Sequence, residues 1–327
     1  MEGDKKIVIL YILEVLREYS DKNHLLTYNE IVELIDKKHG VRPDVKAVAN
    51  NITSLTNAGY EIIKCGWKGC YLLDRDFESG ELMYLVDAVN SSNSIASKQA
   101  KELIDKLTKN CSRYERKKFV PIHKMDKISK SKNRELFYII EILGEAIESG
   151  KKVKFNYNEH NFEKELKPRK EGKEYLINPY FMVNSRGKYY LVCNYDKYDD
   201  ISNYKVECIT NIEIVDEPTR PITSLKNMEN FSMRNYVEEH IYMTYGNSVD
   251  AKILIEDSKY ISEIVDWFGD GVTIARKDDK IYATLKVNEQ ALIYWSLQYG
   301  EHVEVIEPKE TRVKIKEAID KISKKYN

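Results

Sequence analysis

Apolar residues recur at the three- and four-residue spacing of amphipathic helices throughout residues 1–60. This spacing predicts one helix over residues 5–19. A second helix is predicted after the capping box Thr27–Glu30, with its end at Gly40. Pro43 favours the first turn of a third helix. The buried stripe of that helix is predicted to be Val45, Val48, Ile52 and Leu55.

Two short β-strands are predicted after the third helix, at Tyr60–Lys64 and Tyr71–Asp74. They lie on either side of the sequence Cys-Gly-Trp-Lys-Gly-Cys at residues 65–70. Three helices followed by a two-stranded wing is the order of a winged helix-turn-helix. We therefore predict a winged helix-turn-helix domain over residues 1–78.

The hydrophobic period changes twice in the rest of the chain. Residues 79–133 are predicted to form a helical linker that ends in a basic run. A helix over 134–149 precedes several short alternating runs, which predict a small barrel or curled sheet within 134–220. Residues 221–327 then mix strands and helices after Pro218 and Pro221. The fold class predicted from these patterns is α/β and multidomain.

Composition excludes several classes of protein. The chain has 327 residues, of which 42% are hydrophobic and 32% charged, as expected of a soluble protein. Its longest apolar run, Ile7–Leu13, is far shorter than the roughly 20 residues of a membrane span. The start lacks the features of a signal peptide. The five cysteines are scattered and odd in number, which favours a reducing compartment. We therefore expect a cytoplasmic protein with no membrane contact.

Charge is distributed unevenly although the net charge is only −1. Residues 36–68 hold six basic and three acidic side chains, and residues 109–134 hold ten basic and two acidic ones. A basic run of the second kind is consistent with a solvated linker. It is also the electrostatic footprint of a surface that contacts phosphate.

The sequence contains no pattern typical of a catalytic or metal site. The segment Gly144–Lys151 has five residues between its glycines and no Ser or Thr after the Lys, unlike a phosphate-binding loop. The six histidines are isolated, and Cys65 and Cys70 have no second pair at zinc-ligand spacing. We therefore expect no enzyme activity, no metal and no cofactor.

The third helix carries the first candidate site. Because its apolar stripe faces inward, a Lys and an Asn face outward. The Lys can contact phosphate, and the Asn can hydrogen-bond adenine. The wing adds further cations and a Trp. The residues predicted to contact double-stranded DNA are Arg42, Lys46, Ala49, Asn50, Asn51, Thr53, Lys64, Trp67 and Lys68. The alternative is that these are ordinary solvated residues of a three-helix domain.

The second candidate site lies in the middle domain, where tyrosines and cations alternate on predicted strands. Aromatic faces beside cations suit nucleotides or single-stranded nucleic acid. The residues predicted to bind such an effector are Lys154, Tyr157, Arg169, Arg186, Lys188, Tyr189, Tyr190, Tyr204 and Lys205. The alternative is that the tyrosines belong to the core of the domain.

At these residues the chain resembles the WYL-domain transcriptional regulators of bacteria. Ala47–Leu55 with Gly59 and Tyr60 matches the family's recognition helix. The name-giving Trp-Tyr-Leu falls on Tyr189–Leu191, after Asn178–Tyr180. Lys205–Ile209 matches the family's Arg-Val-Asp-Arg-Ile. Further C-terminal matches are Trp295, Gln298–Gly300 and Val303–Pro308.

The resemblance implies a winged helix that binds operator DNA as a homodimer, an SH3-like β-barrel WYL domain that senses a nucleic-acid or nucleotide effector, and a C-terminal α/β extension. The sequence departs from the family at four positions. Asn50 and Asn51 replace Arg and Asp, and Lys205 and Cys208 replace two Arg. A phosphate ligand would then bind more weakly, bind elsewhere, or not bind at the usual place.

Two functions from different classes follow from these observations. The first is a ligand-responsive DNA-binding transcriptional regulator without enzyme activity. The second is an accessory or sensor protein that binds single-stranded nucleic acid or a protein partner and reads no operator. Lys46, the wing and the basic segment 36–68 favour the regulator. The acidic balance of residues 1–78, 13 acidic against 11 basic side chains, favours the accessory protein.

Overall fold

The computed structural model describes residues 2–73, 77–119, 131, 133–226 and 228–327. The chain divides into two compact units, residues 1–130 and residues 131–327. Part of the basic run predicted for the linker, residues 120–130 and 132, lies outside the described residues.

The N-terminal unit begins with three helices and a two-stranded antiparallel sheet, in the order that the sequence predicts. Further helices follow in the segment predicted to be helical. The elements of this unit are α1 Glu2–Tyr19, α2 Tyr28–His39, α3 Val45–Asn57, β1 Ile62–Lys64, β2 Cys70–Leu72, α4 Ser79–Ser91, α5 Ser97–Leu107 and α6 Arg113–Phe119.

Local signals determine where α2 and α3 begin and end. The predicted capping box is confirmed, because the Glu30 amide donates to the Thr27 hydroxyl and the Thr27 amide donates to the Glu30 carboxylate. Gly40 ends α2 in the left-handed conformation, with φ 66°. Asp44 caps α3 by accepting from the Lys46 amide.

A single apolar core joins these three helices to the sheet. Its fully buried members include Ile12, Leu16, Ile31 and Ile52. The prediction that Val45 is buried is wrong, since 41% of this residue is exposed. Val45 occupies the first turn of α3, directly after its N-cap, where the helix has not yet reached the core.

The second unit begins with a helix and a six-stranded sheet. The strand order is β4-β3-β5-β6-β7, and β8 pairs with β3. The bounds are α7 Leu136–Ser149, β3 Lys151–His160, β4 Leu166–Pro168, β5 Glu174–Ser185, β6 Lys188–Asn194, β7 Ile201–Lys205 and β8 Ile209–Pro218.

The SH3-like β-barrel expected for this region is not closed. Strands β7 and β8 follow each other in the chain but are joined by a 3₁₀ turn, Val206–Cys208, and do not form a hairpin. Strand β7 pairs with β6, whereas β8 crosses to β3. In the described part of this unit the ladder therefore stays open between β7 and β8.

The C-terminal part of this unit contains a four-stranded antiparallel sheet with strand order β10-β11-β9-β12. Its core contains the fully buried Trp295 and Ile253. The elements of this region are α8 Met233–Glu239, β9 Ser248–Ile255, α9 Ile261–Phe268, β10 Thr273–Lys277, β11 Lys280–Asn288, α10 Glu289–Gln298, β12 Val303–Glu307 and α11 Lys309–Tyr326.

Candidate nucleic-acid interface and ligand face

The outward face of α3 carries two exposed polar side chains, Lys46 and Asn50, with the partly buried Ala49 between them. The residues that hold the helix in place, Val48, Ile52 and Leu55, are buried on the opposite side. Within the described residues, Lys46 forms no ion pair with an acidic side chain. Its ammonium group and the Asn50 amide are therefore presented to solvent.

Two other predicted residues of α3 bond to their own helix. The Asn51 amide nitrogen donates to the Ala47 carbonyl oxygen at 2.8 Å, and the Thr53 hydroxyl donates to the Ala49 carbonyl oxygen at 3.1 Å. The Lys64 ammonium donates in turn to the Thr53 hydroxyl at 3.4 Å. This contact places β1 of the two-stranded sheet beside the outward face of α3.

The turn between β1 and β2 presents an aromatic side chain and a cation. Trp67 is 88% exposed, and the Lys68 ammonium lies 5.8 Å from its ring centroid. Arg42, by contrast, forms an ion pair with Asp36 at 3.0 Å. Of the four predicted cations, Lys46, Lys64 and Lys68 have no acidic partner within the described residues, and Lys64 already bonds the Thr53 hydroxyl.

Three of the predicted effector residues share one face of the middle sheet, which we call the ligand face: Lys188, Tyr190 and Lys205. Lys188 and Tyr190 are two residues apart on β6, and Lys205 lies directly opposite Tyr190 on β7. Residues in this relation point to the same side of a sheet. Tyr190 and the two Lys residues therefore occupy neighbouring positions on one face of the sheet.

An acidic residue that the sequence analysis did not single out completes the ligand face. The Glu207 carboxylate lies 3.5 Å from the Lys188 ammonium, and its side chain is only 12% exposed. Burial raises the pKa of Tyr190, and the nearby Glu207 and Cys208 raise it further. The sequence predicts both Tyr190 and Lys205 for the effector site. The position of Glu207 depends on the 3₁₀ turn, which leaves no periodic signal.

Cys208, at the position of a family Arg, is 5% exposed. Burial raises the pKa of its thiol, and the neighbouring Glu207 raises it further. The Tyr157 hydroxyl accepts from the Lys205 amide at 3.3 Å. An Arg at position 208 would bury a charge where a neutral thiol now fits. Cys208→Arg is therefore expected to disturb the fold and does not test ligand binding.

Three of the predicted effector tyrosines, Tyr157, Tyr189 and Tyr204, lie outside the ligand face. Tyr204 is 8% exposed and packs in an aromatic cluster with Phe155, Tyr157 and Tyr175. Its hydroxyl lies 2.5 Å from that of Tyr195. Tyr204 neighbours Lys205 on β7 and so points to the other face of the sheet, into the core. Tyr189 likewise points away from Tyr190.

The other predicted cations are paired elsewhere. Lys154 lies between Glu174 and Glu213, at 3.5 and 3.3 Å, and Arg169 pairs with Glu159 at 3.0 Å. The Arg186 guanidinium is stacked on the ring of Trp267, which lies on α9. Of the nine candidate residues, three therefore lie together on the ligand face. Tyr157 contacts this group because its hydroxyl accepts from the Lys205 amide.

Neither a metal centre nor a membrane span is found among the described residues. No group of three or more His, Cys, Asp or Glu side chains is arranged to hold an ion. No helix in this part of the chain is both long and apolar enough to cross a bilayer.

Comparison with known families supports a WYL-domain protein. Residues 138–214 match the family model of the WYL domain, and residues 247–323 match that of the WCX domain. The first match spans α7 and the open sheet with the ligand face, and the second spans the four-stranded sheet. No curated protein sequence matches the chain significantly.

Two solved structures resemble the chain at low sequence identity. Proteasome accessory factor B/C (PafBC) of Arthrobacter aurescens is 14% identical, with a TM-score of 0.29 over 96% of this chain and 48% of that chain. A CRISPR Cas-related protein is 15% identical, with a TM-score of 0.39 over 99% of this chain and 85% of that chain. The chain thus spans about half the length of PafBC.

Proposed function

We propose that this WYL-domain protein is a ligand-responsive DNA-binding transcriptional regulator without enzyme activity. In this proposal α1–α3 with β1 and β2 form a winged helix-turn-helix that reads operator DNA, and a homodimer presents two such domains. The ligand face binds a nucleotide or a short single-stranded nucleic acid as effector.

The observation that carries the proposal is the contact between the wing and the outward face of α3. Because Lys64 bonds Thr53, the wing lies beside the helix face that exposes Lys46 and Asn50. A recognition helix with a flanking wing is the arrangement that can place one element in the major groove and another on the adjacent backbone. Ammonium groups there would contact phosphates, and the Asn amide would read a base edge.

Discrimination between operator DNA and random DNA is expected to depend on Asn50. An Asn that bonds adenine bidentately contributes about 1–3 kcal/mol of discrimination between bases. Asn50→Ala should therefore lower the preference for operator over random DNA, with little change in affinity for random DNA. Gel-shift titrations on both DNAs measure the two affinities.

Asn51→Ala is the matched control, because the Asn51 amide already bonds the Ala47 carbonyl in the same helix. We expect this variant to keep its sequence preference. Equal losses of Asn50→Ala on operator and random DNA would assign Asn50 a role at phosphate or in the fold and would contradict base reading.

Effector binding is expected to depend on Tyr190 and Lys205. Stacking of a base on an aromatic side chain contributes about 1–3 kcal/mol, so Tyr190→Ala should weaken binding of a labelled oligonucleotide roughly five- to hundredfold. Lys205→Arg should tighten it, because a guanidinium grips phosphate with two donors. Fluorescence anisotropy measures both effects.

Tyr189→Ala is the control for these variants, since Tyr189 lies on the same strand but points to the opposite face. Similar binding by the native chain and all three variants would contradict the ligand face. Absence of binding by the folded native chain would do the same, and the middle domain would then be better explained as a dimerisation or partner-docking module.

A second candidate function is an accessory protein that holds a partner and reads no operator. One observation favours it: the family's Arg-Asp pair on the recognition helix is replaced by Asn50 and Asn51, and Asn51 bonds its own helix. Fewer cations would then face DNA. Absence of DNA binding at low salt would favour this function over the regulator.

A further inference from the structure

The β5–β6 hairpin ends in a two-residue turn with an unusual first residue. Ser185 pairs with Lys188, and the two turn residues Arg186 and Gly187 have φ angles of 51° and 75°. Two consecutive positive φ angles define a type I′ turn, for which Asn-Gly is the preferred sequence. Arg has no intrinsic preference for the left-handed conformation, and in this turn its side chain makes a contact outside the hairpin.

That contact is made with the C-terminal part of the same unit. The Arg186 guanidinium carbon lies 3.4 Å from the ring centroid of Trp267 on α9. The Trp267 indole is fixed in turn, because its Nε1 donates to the Tyr299 hydroxyl at 2.9 Å and that hydroxyl donates to Glu263 at 3.1 Å. Arg186 therefore stacks on a ring that is already held in place.

The same hairpin also carries part of the ligand face. Lys188 follows the turn directly, and Tyr190 lies two residues further on β6. The ligand face has ammonium groups but no guanidinium, since position 205 is Lys and position 208 is a buried Cys. Arg186 thus carries the guanidinium closest in the chain to this face. In the structure that guanidinium is stacked on the Trp267 indole.

We propose that the Arg186–Trp267 stack is a latch between the WYL hairpin and the C-terminal domain, and that an anion bound at the ligand face draws the guanidinium off the indole. The latch rests on the proposed ligand face and adds to it a path by which effector binding reaches the C-terminal domain. The bound anion gains the two-donor contact that Lys188 and Lys205 cannot supply. The cost of binding is the loss of the stack with Trp267.

The test is a double-mutant cycle on the full-length chain, with inorganic tripolyphosphate as the probe and calorimetry as the readout. Trp267→Leu frees the guanidinium and should tighten binding about two- to fivefold, which corresponds to an exposed cation–π contact. Arg186→Asn suits the type I′ turn and should weaken binding. In the double variant Trp267→Leu should have no further effect, because no guanidinium remains to be released.

Two controls make the outcome decisive. Arg276→Asn removes an exposed Arg from β10 and should leave binding unchanged. Thermal unfolding checks each variant, and if Trp267→Leu does not fold, Trp267→Phe replaces it with a smaller gain expected.

If the native chain binds tightly and Trp267→Leu has no effect, the latch is contradicted and the ligand face is retained. The same conclusion follows if Trp267→Leu has an equal effect in the absence of Arg186. No binding of tripolyphosphate by the folded native chain overturns both. Tighter binding in Trp267→Leu that disappears in the Arg186→Asn background supports the latch.

Discussion

Gly69→Ala is expected to destabilise the N-terminal unit by roughly 2–5 kcal/mol and to abolish the wing. A Cβ at this position would lie 2.4 Å from the Leu26 carbonyl oxygen and 2.8 Å from the Thr27 nitrogen. Both atoms belong to the backbone and cannot move as a flexible side chain can. The φ of 110° adds strain, because residues other than Gly rarely adopt it.

The wing depends on this close approach. The Cys70 amide donates to the Leu26 carbonyl at 2.8 Å, and the Leu26 amide donates to the Cys70 carbonyl at 2.9 Å. These two bonds tie β2 to the segment before α2. Separating the segments to admit a methyl group would break them, and the wing would then no longer lie beside α3.

Gly66→Ala is the matched control within the same turn. Gly66 also has a positive φ, 62°, but an added Cβ would meet no atom within 4 Å. It should therefore cost only the backbone strain, roughly 1–2 kcal/mol. Denaturant unfolding measures both variants. Equal stabilities of Gly66→Ala and Gly69→Ala would contradict the close packing described here.

Lys46→Ala combined with Lys68→Ala is expected to lower DNA affinity roughly ten- to hundredfold at 0.1 M salt, on operator and random DNA alike. Each phosphate contact releases counterions and contributes about 0.9 to the log–log dependence of affinity on salt. Loss of two contacts should make this dependence shallower by about 1.8. The physical reason is that these two ammonium groups face solvent on α3 and on the wing, where no acidic residue of the described structure neutralises them.

The salt dependence is measured by anisotropy titration of labelled DNA at several salt concentrations. Lys101→Ala with Lys106→Ala removes the same charge from exposed positions on α5 and is the control. The control should keep the native salt dependence. If both double variants lose affinity equally, the effect comes from net charge and not from the interface on α3 and the wing.

Much of the fold could be predicted from the sequence because its signals are local. The capping box Thr27–Glu30 and the terminal Gly40 act within one helical turn, so the bounds of α2 follow from adjacent residues. The strands of the WYL region follow from alternation, which depends only on which side chains must be buried. The prediction that Val45 is buried was wrong because the spacing of apolar residues does not show where along a helix the contact with the core begins.

The sites could be predicted only in part, because their geometry depends on pairing between distant segments. Alternation predicts a small barrel or a curled sheet alike, because it cannot show that β8 crosses to β3. The closed SH3-like barrel was implied by the family resemblance, and the structure has an open sheet. The same periodicity marks Tyr190 and Tyr204 as equal candidates. Only the register of β6 with β7 separates the face of Tyr190 from the core position of Tyr204. The contact of Arg186 with Trp267 joins residues 81 positions apart in the sequence and leaves no local trace.

The central claim, that α3 and the wing read operator DNA, is tested most directly by footprinting the full-length protein on the DNA that flanks its own gene. We expect a discrete protected stretch at low salt, which disappears as salt is raised and which Lys46→Ala with Lys68→Ala no longer protects. For a homodimer, two half-sites about one helical turn apart are expected. Absence of protection at low salt, with the native chain folded, would contradict the account and favour the accessory protein.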